Sequence, residues 1–491
     1  MSERILPPTW AWAELKDVGP IISGGTPKTT DPANFDGEIP WITPADLTGY
    51  TQKTISRGRR NISSKGLANS SARIIPKRSV LFSSRAPIGY VAIASNDLTT
   101  NQGFKSVAVS DEFDEGFLYF YLKSAKEIAE QNASGTTFKE ISGSRFAQLP
   151  IPVAPLNEQR RIVEKIETLF ARLDKGEEAL RDVQKLLARY RQSVLKAAVT
   201  GQLTADWRAE NGHRLEHGRD LLARILQTRR ENWDGRGKYK DPTAPDTTDL
   251  PELPEGWVWA SVEQVVSVFR NGLSKKPVSK PNEFPILRIS ATRAMNVAVD
   301  DLRYYEPSKN DDLASSWVEK GDLLFTRYNG SAHLVGVCGQ MREDFPVLHP
   351  DKLIKARPVP TPGLNTDFLE AAWNTGETRR HIAANIKTTS GQQGVAGGDI
   401  KAAAFPLPPA EEQQLIAELI WDAFDRIARG LEHCQTELAR SAALRQSILK
   451  DAFAGRLVPQ DPTDEPAAAL LARIRETRAA APGKTRRKAR A

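Results

Sequence analysis

One stretch of the chain, residues 158–201, reads EQRRIVEKIETLFARLDKGEEALRDVQKLLARYRQSVLKAAVTG. Its large apolar residues recur with alternating spacings of four and three, a heptad pattern typical of a long helix that packs along a second helix. Pro155 precedes the stretch and Gly201 ends it, as expected at the two ends of a helix. At a rise of ~1.5 Å per residue, the predicted helix is roughly 65 Å long. The predicted seam consists of Ile162, Ile166, Leu169, Leu173, Leu180, Val183, Leu187, Tyr190 and Val194, with Gly176 in the middle of the series.

A second stretch of the same length, residues 412–455, repeats the pattern, and Gly430 stands where the first stretch has Gly176. Its predicted seam consists of Ile416, Ile420, Ile427, Leu444 and Ile448. One amphipathic helix of this length cannot bury its own apolar stripe. We therefore expect the two helices to pair antiparallel within the chain, with a mixed domain near each end of the pair. The alternative is a coiled-coil arm that joins separate chains.

Four further sequence pairs recur in the same order, which indicates a tandem duplication of a domain-sized unit. Residues 6–13 (LPPTWAWA) return as 253–260 (LPEGWVWA), 191–196 (RQSVLK) as 445–450 (RQSILK), 201–203 (GQL) as 455–457 (GRL), and 221–225 (LLARI) as 470–474 (LLARI). The segments before the two long helices mix short strand-like and helical runs, so the predicted fold class is α/β (mixed α+β) with an internal pseudo-twofold repeat. The predicted divisions are a first mixed domain (1–152), a first long helix (153–201), a linker with a basic helix (202–250), a second mixed domain (251–405), a second long helix (406–456), and a C-terminal helix with a basic tail (457–491).

The composition of the 491-residue chain excludes several classes of protein. No run of 18 apolar residues is present, so no membrane-spanning helix is predicted, and the first residues lack the apolar core of a signal peptide. Two cysteines, Cys338 and Cys434, are too few for a disulfide framework or a cysteine zinc site. We therefore expect a cytoplasmic protein without a membrane partner. The net charge of +7 permits a polyanionic partner without requiring one.

Motifs of catalysis are missing from the sequence. It contains no GxxxxGK[ST] phosphate loop, no HExxH metal motif and no GxSxG nucleophile elbow. His213 and His217 are four residues apart in a polar linker without a third ligand, so we interpret them as surface residues rather than as a metal pair. We predict no catalytic residue, no metal ligand and no cofactor bound by this chain.

Several loops combine basic residues with small polar residues and glycine, the side chains that contact phosphates and base edges in DNA. Any one such loop is more typical of an ordinary solvated surface, but a duplicated set favours DNA binding. The candidate DNA-binding residues of the first half are Ser23, Gly25, Thr26, Lys28, Arg57, Arg59, Arg60, Arg85, Asn101, Gln102, Lys105, Thr136, Thr137 and Lys139. Those of the second half are Lys275, Lys276, Arg288, Arg293, Arg327, Tyr328, Asn329, Gln392 and Gln393.

Over nearly its whole length the chain resembles the specificity subunit of Type I restriction-modification systems. The resemblance rests on residues 23–27 (SGGTP), 39–42 (IPWI), 84–89 (SRAPIG), 149–152 (LPIP), 155–159 (PLNEQ) and 196–203 (KAAVTGQL), and in the second half on 327–331, 405–409, 412–413 and 450–457. The second half departs from the pattern at residues 271–273 (NGL), which leaves a phosphate-binding role of that loop open.

The resemblance implies a subunit that is not an enzyme by itself. Two target-recognition domains would each read one half of a bipartite, asymmetric sequence in double-stranded DNA, and the paired helices would set the unread spacer between them. Two modification subunits would hold S-adenosylmethionine and methylate adenine, and restriction subunits, which are translocases with a nuclease, would use ATP and Mg²⁺. The alternatives are a coiled-coil scaffold without sequence-specific DNA contact and a fragment of a fused methyltransferase-restriction enzyme. For the basic tail, residues 484–490, we expect a solvated segment.

Overall fold

Two helices of 44 and 43 residues, α6 and α14 below, form the longest elements of the computed structural model, which describes residues 5–85, 87–135, 139–234, 237–309, 311–389 and 392–480. The helices are α1 (Leu15–Val18), α2 (Ser64–Ala68), α3 (Glu115–Ser124), α4 (Lys126–Gln131), α5 (Gly143–Ala147), α6 (Leu156–Val199), α7 (Ala205–Asn211), α8 (Gly218–Glu231), α9 (Val262–Val265), α10 (Leu313–Ser316), α11 (Thr366–Trp373), α12 (Gly376–Ala384), α13 (Gly397–Ala402), α14 (Ala410–Ala452) and α15 (Ala467–Ala480). Each long helix is followed within three residues by a glycine with positive φ, Gly201 after α6 and Gly455 after α14. No helix in the described parts of the chain is long and apolar enough to cross a bilayer.

The strands are short and fall into two series. The first series is β1 (Ala11–Glu14), β2 (Ile21–Ser23), β3 (Phe35–Ile42), β4 (Thr54–Ile55), β5 (Arg60–Ile62), β6 (Val80–Ser83), β7 (Val91–Ala94), β8 (Thr99–Thr100), β9 (Phe104–Val107) and β10 (Pro150–Val153). The second is β11 (Val258–Ser261), β12 (Val266–Asn271), β13 (Pro285–Leu287), β14 (Thr292–Arg293), β15 (Asn296–Val297), β16 (Leu302–Tyr304), β17 (Trp317–Val318), β18 (Leu323–Thr326), β19 (Tyr328–Asn329), β20 (Cys338–Gln340), β21 (Val347–Leu348), β22 (Leu353–Pro358), β23 (Lys387–Thr389), β24 (Gln392–Gly394) and β25 (Ala404–Leu407).

The two series share a common core topology, to which each adds strands of its own. The first forms a sheet of order β2-β9-β6-β7-β4, and the second forms one of order β12-β22-β18-β20. In a smaller sheet, β3 pairs antiparallel with β5 and parallel with β8, just as β13 pairs with β16 and β21. The duplicated mixed fold expected from the sequence is therefore present, although few residues of the two sheets are identical.

The chain divides into two compact units, Met1–Arg181 with Gln435–Ala491 and Asp182–Cys434. Each unit contains a mixed domain and a part of both long helices. In the first unit, Arg445 of α14 bonds Asp174 of α6 at 2.7 Å, and Ser441 donates to Glu177 at 2.8 Å. In the second, the Arg191 guanidinium lies 4.1 Å from the Phe424 ring centroid. In the same unit a Cβ at Gly430 would lie 3.0 Å from Leu187 Cδ1. Within each unit the numbers therefore rise on one helix as they fall on the other, so the helix segments are antiparallel and pair within one chain.

The predicted seam is buried or half-buried at eleven of its fourteen positions and exposed at three. Ile162, Ile166, Val194, Ile416, Ile420 and Ile427 are buried, and Leu169, Leu173, Leu180, Leu187 and Ile448 are half-buried. Val183, Tyr190 and Leu444 remain 42%, 53% and 43% exposed. A straight α-helix turns by about 20° per heptad relative to a 3.5-residue repeat, so a strict heptad stripe rotates away from the partner.

The repeated Trp and Glu residues join each mixed domain to a long helix. In the first unit, Trp10 Nε1 donates to the buried Glu158 carboxylate at 3.0 Å, and in the second Trp257 Nε1 donates to Glu412 at 2.8 Å. The strand pairs β1–β10 and β11–β25 lead directly into these junctions. The residues repeated in the sequence therefore lie at the junctions between mixed domain and long helix, and not in the candidate DNA-binding loops.

The short helix after each long helix belongs to the mixed domain of the other sequence copy. The first N–H of α15, Ala467, donates to Thr9 O at 2.9 Å, and the first N–H of α8, Gly218, donates to Gly256 O at 2.8 Å. The two leucines and the isoleucine of each repeated LLARI sequence are buried in the respective cores. A compact unit is therefore not the same stretch of chain as one sequence repeat.

Candidate nucleic-acid interface

The loop after β2 contains the first group of candidate residues. Ser23 and Lys28 are exposed, and the half-buried Thr26 donates a hydrogen bond to Gln102. The assignment of Gly25 to DNA contact is wrong, because this residue is buried and its carbonyl accepts a hydrogen bond from Trp41 Nε1 at 3.0 Å.

Gly24 and Gly272 occupy corresponding places in the two copies of this loop, and the phosphate-binding role of the second copy stays an open prediction. A Cβ at Gly24 would lie 1.9 Å from Asn101 O, and one at Gly272 would lie 1.9 Å from His349 O. The glycine thus allows the loop to pack against the protein backbone in both domains. Its spacing does not by itself indicate a phosphate site.

Arg57, Arg59 and Arg60 lie on the exposed approach to β5. The Arg60 guanidinium covers the Phe35 ring at 4.1 Å, a cation–π contact. Asn101, another candidate, uses its Oδ1 to accept from Gly103 N at 2.9 Å and so holds a turn. These contacts leave Arg57 and Arg59 as the more accessible cations of this group.

Arg85, Lys105 and Glu140 form a small charged cluster in the first domain. Glu140 lies 3.5 Å from Arg85 Nη1 and 3.7 Å from Lys105 Nζ. Lys105 is buried, and its burial lowers the pKa of the ammonium group. Lys139 beside the cluster is exposed, whereas Thr136 and Thr137 lie outside the described residues.

The second domain brings five candidates together on one small sheet. Strand β19 pairs with β24, which pairs with β23. This pairing gathers Arg327, Tyr328, Asn329, Gln392 and Gln393, and we call this set the β19–β24 ladder.

Polar atoms of the β19–β24 ladder are left without partners. The Arg327 guanidinium lies 4.8 Å from the Tyr328 ring centroid. Arg327 Nε and Gln393 Oε1 are buried and find no hydrogen-bond partner in the described parts of the chain. An arginine and an amide with unused donors and acceptors can form the paired hydrogen bonds that discriminate base edges.

Arg293 lies on β14, which belongs to a different sheet from the ladder, and its Nη1 donates to Thr292 O at 2.9 Å. The remaining candidates, Lys275, Lys276 and Arg288, line a surface cavity of about 430 Å³. Two further cations of this cavity, Arg303 and Lys352, were missed by the sequence analysis. Arg303 stands in a strand where a single basic residue is unremarkable, and only the sheet pairing could have drawn attention to it.

The described residues contain no group of three or more His, Cys, Asp or Glu arranged to hold a metal ion. His217 is one of the two histidines that stand four residues apart in the linker. Its Nδ1 accepts a hydrogen bond from Arg219 N at 3.0 Å, and His217 thereby caps α8. Its role is therefore structural.

Comparison with known proteins relates this fold to one family. A family model described as "Type I restriction modification DNA specificity domain" matches residues 7–181. The "Type I restriction enzyme EcoKI specificity subunit" of Escherichia coli (strain K12) is 31% identical over 508 residues, which cover 99% of this chain and 98% of that protein. The chain belongs to the family of Type I restriction enzyme specificity subunits.

This membership confirms the prediction of a DNA specificity subunit over that of a scaffold without DNA contact. It also confirms that the chain is one subunit of a multisubunit enzyme. The MjaIX specificity subunit of Methanocaldococcus jannaschii is 43% identical over 159 residues, covering 32% of this chain and 37% of that protein.

Solved structures show that the fold is that of known specificity subunits. A chain from the study "Structural basis underlying complex assembly and conformational transition of the type I R-M system" gives a TM-score of 0.63 at 19% identity, covering 92% of this chain and 99% of that chain. The HsdS subunit of Thermoanaerobacter tengcongensis gives 0.51 at 18% identity, with coverages of 93% and 99%.

Proposed function

We propose that this specificity subunit reads a bipartite, asymmetric DNA sequence, with one half-site for each mixed domain. The observation that carries the proposal is the pair of equivalent domains with different side chains on their loops. A shared topology supports equivalent docking of the two domains on a duplex, and different side chains support different half-sites. A pseudo-twofold reader on a duplex contacts half-sites about one helical turn, ~34 Å, apart. We keep the predicted boundaries, residues 1–152 and 251–405, for the two readers.

We assign base reading in the second domain to the β19–β24 ladder and in the first to the loops around Arg85. In the first domain, Ser23, Thr26, Gln102 and the exposed Lys28 belong to the same interface. Arg327 Nε and Gln393 Oε1 support the assignment in the second domain, because both atoms are buried without a hydrogen-bond partner in the described residues, a state that costs free energy and that a ligand could relieve.

The partners of the subunit are proposed from the family. Two modification subunits, which hold S-adenosylmethionine and methylate adenine, dock on the long helices. Restriction subunits, which use ATP and Mg²⁺ for translocation and cleavage, join that complex in the cytoplasm. The exposed apolar residues Val183, Leu186 and Tyr190 on α6 support a protein partner on that helix.

The experiment that tests the proposal is methylome sequencing of a host with and without this gene. We expect a split adenine motif that depends on the gene. Replacement of residues 1–152 by the corresponding domain of a relative should change one half of that motif and leave the other half unchanged. A motif that changes in both halves would contradict one reader per domain, and the unmodified host sequence serves as the control.

A further inference from the structure

The cavity of about 430 Å³ in the second domain is unusually basic for its surroundings. Residues 251–405 contain 18 Lys and Arg and 18 Asp and Glu, so the predicted domain has no net charge. Five cationic side chains nevertheless line this one cavity, together with a single carboxylate, Asp351. The cationic residues are Lys275, Lys276, Arg288, Arg303 and Lys352.

Ion pairs elsewhere in the domain occupy several of its acidic residues, which therefore do not neutralise the cations of the cavity. Arg357 holds Asp322 at 2.7 Å, and Arg342 holds Asp367 at 2.9 Å. Inside the cavity lining, Arg288 pairs with Asp301 at 2.6 Å, and Lys275 lies 4.0 Å from a Glu306 carboxylate oxygen.

Three of the five lining cations keep their charge uncompensated. Within the described parts of the chain, Lys276, Arg303 and Lys352 have no carboxylate within 4.0 Å. A domain that is neutral as a whole therefore presents a local excess of positive charge at one place. Repulsion among these like charges is unfavourable in the free protein, and an anionic ligand would relieve it.

The sheet pairing shows that the basic position is shared by both domains. Arg303 lies opposite Ile286 in the β16–β13 pair, and Arg60 lies opposite Trp41 in the β5–β3 pair. In the first domain, however, Arg60 lies over the Phe35 ring. The second domain has added cations around the same position of the fold.

A backbone hydrogen bond links the cavity to the β19–β24 ladder. Lys352 O accepts from Arg327 N at 2.8 Å. A ligand held by the Lys352 side chain would therefore be held next to the first residue of the ladder.

We propose that the cavity binds one backbone phosphate of the DNA and anchors the second domain irrespective of base sequence. The charged side chains of the lining are mostly donors, and a phosphodiester offers acceptors and a negative charge, whereas base edges present mixed patterns of donors and acceptors. The anchor sets the position of the β19–β24 ladder on the second half-site. The inference rests on the proposed DNA-reading function.

The test measures DNA binding by the complete complex of this chain with its modification subunits. Fluorescence anisotropy measures binding to two duplexes of equal length over a series of salt concentrations. One duplex contains the motif identified by methylome sequencing, and the other has a scrambled sequence. The variants are Arg303→Gln, Lys276→Gln and the double variant; Lys276 is exposed, so its change leaves the fold intact. The matched control is Lys320→Gln, an exposed cation that precedes β18 and does not line the cavity. The cavity residue Lys352 lies by the opposite end of β18, where Leu353 pairs with Thr326.

We expect the double variant to lower the slope of log K against log salt by about 1 on both duplexes, the effect of losing one phosphate contact. The preference for the motif should stay the same, and the control should keep the full slope. A slope equal to that of the control, or a loss confined to the motif duplex, would overturn the phosphate anchor. If the unmodified complex does not distinguish the two duplexes, the proposed function itself fails.

A second arm distinguishes a DNA phosphate from a free anion. The thermal midpoint of the complex is measured with and without inorganic phosphate at constant ionic strength. We expect inorganic phosphate to change the thermal midpoint of the unmodified complex and that of Arg303→Gln by the same amount. Stabilisation by phosphate that is lost in Arg303→Gln, together with an unchanged DNA slope, would assign the cavity to a free anion and overturn the proposal.

Discussion

At the scale of single residues, the buried carboxylates Glu158 and Glu412 show how a repeated motif can hold different electrostatics. Both accept from a tryptophan, but Glu412 also binds Arg208 at 2.5 Å, whereas Glu158 accepts from Gln460, a neutral amide, at 2.6 Å. Burial raises the pKa of Glu158 above its usual value. One junction is thus an ion pair, and the other is a carboxylate with neutral donors.

This difference predicts unequal effects of the same substitution. Glu412→Gln leaves Arg208 without its partner in a largely buried site and should lower the free energy of unfolding by roughly 3 kcal/mol. Glu158→Gln removes no ion pair and should cost less than about 1 kcal/mol. Thermal or urea unfolding of the two variants side by side measures the difference, and equal losses would contradict it.

The pH dependence of the Glu158 variant has a definite sign. A carboxyl group whose pKa is raised on folding imposes no penalty when it is protonated in both states. The penalty grows as the pH rises above the ordinary pKa of the carboxyl group and is fully present above the raised one. The stability of the unmodified protein relative to Glu158→Gln should therefore fall as the pH rises from about 4.

Arg85 is the residue whose change tests the first reader. If it contacts a base through two hydrogen bonds, Arg85→Ala should weaken binding to the motif duplex by about 1–3 kcal/mol. Glu140, 3.5 Å from Arg85 Nη1, competes with DNA for the guanidinium, so the loss of binding free energy should lie toward the lower end of this range. Arg73→Ala, an exposed arginine of the same domain, is the control. Identical binding isotherms for both variants would remove Arg85 from the interface.

At the scale of elements, the glycines within the long helices differ in their surroundings. Gly176 in α6 and Gly430 in α14 occupy equivalent positions of the repeat. A Cβ at Gly176 would meet nothing within 4 Å, whereas one at Gly430 would lie 3.0 Å from Leu187 Cδ1. The helix packing is thus tighter around Gly430 than around Gly176.

From this contrast we expect Gly176→Ala to stabilise the protein by about 0.5–1 kcal/mol, the usual helix preference of alanine over glycine. Gly430→Ala should gain less, because the Leu187 side chain must move. Helical circular dichroism followed through thermal unfolding compares the two. A larger gain from Gly430→Ala would show that the helices are not packed as described.

At the scale of the whole molecule, charge is arranged locally rather than globally. The net charge of +7 does not describe the second domain, whose Lys and Arg equal its Asp and Glu in number. Ion pairs take up part of that charge, and the cavity around Arg303 concentrates cations that remain. The electrostatic attraction to DNA therefore depends on where each side chain is placed.

The compact units and the sequence repeats are also arranged differently. Each unit takes its short terminal helix from the other copy, through Ala467 in one case and Gly218 in the other. Contacts between residues distant in sequence thereby close each mixed domain. A truncation after the first repeat would leave the first domain without α15.

The amino-acid sequence alone was enough to predict the two long helices, the duplication and the family. Periodicity and repeated motifs are local or copied signals, and both survive when the loops diverge. The pattern failed at Val183, Tyr190 and Leu444, since a heptad count does not include the rotation of a straight helix. Only the tertiary structure joined Arg327 to Gln393 and placed Arg303 and Lys352 beside Lys276. These groupings depend on strand pairing between distant segments, and no local pattern encodes which strands will meet.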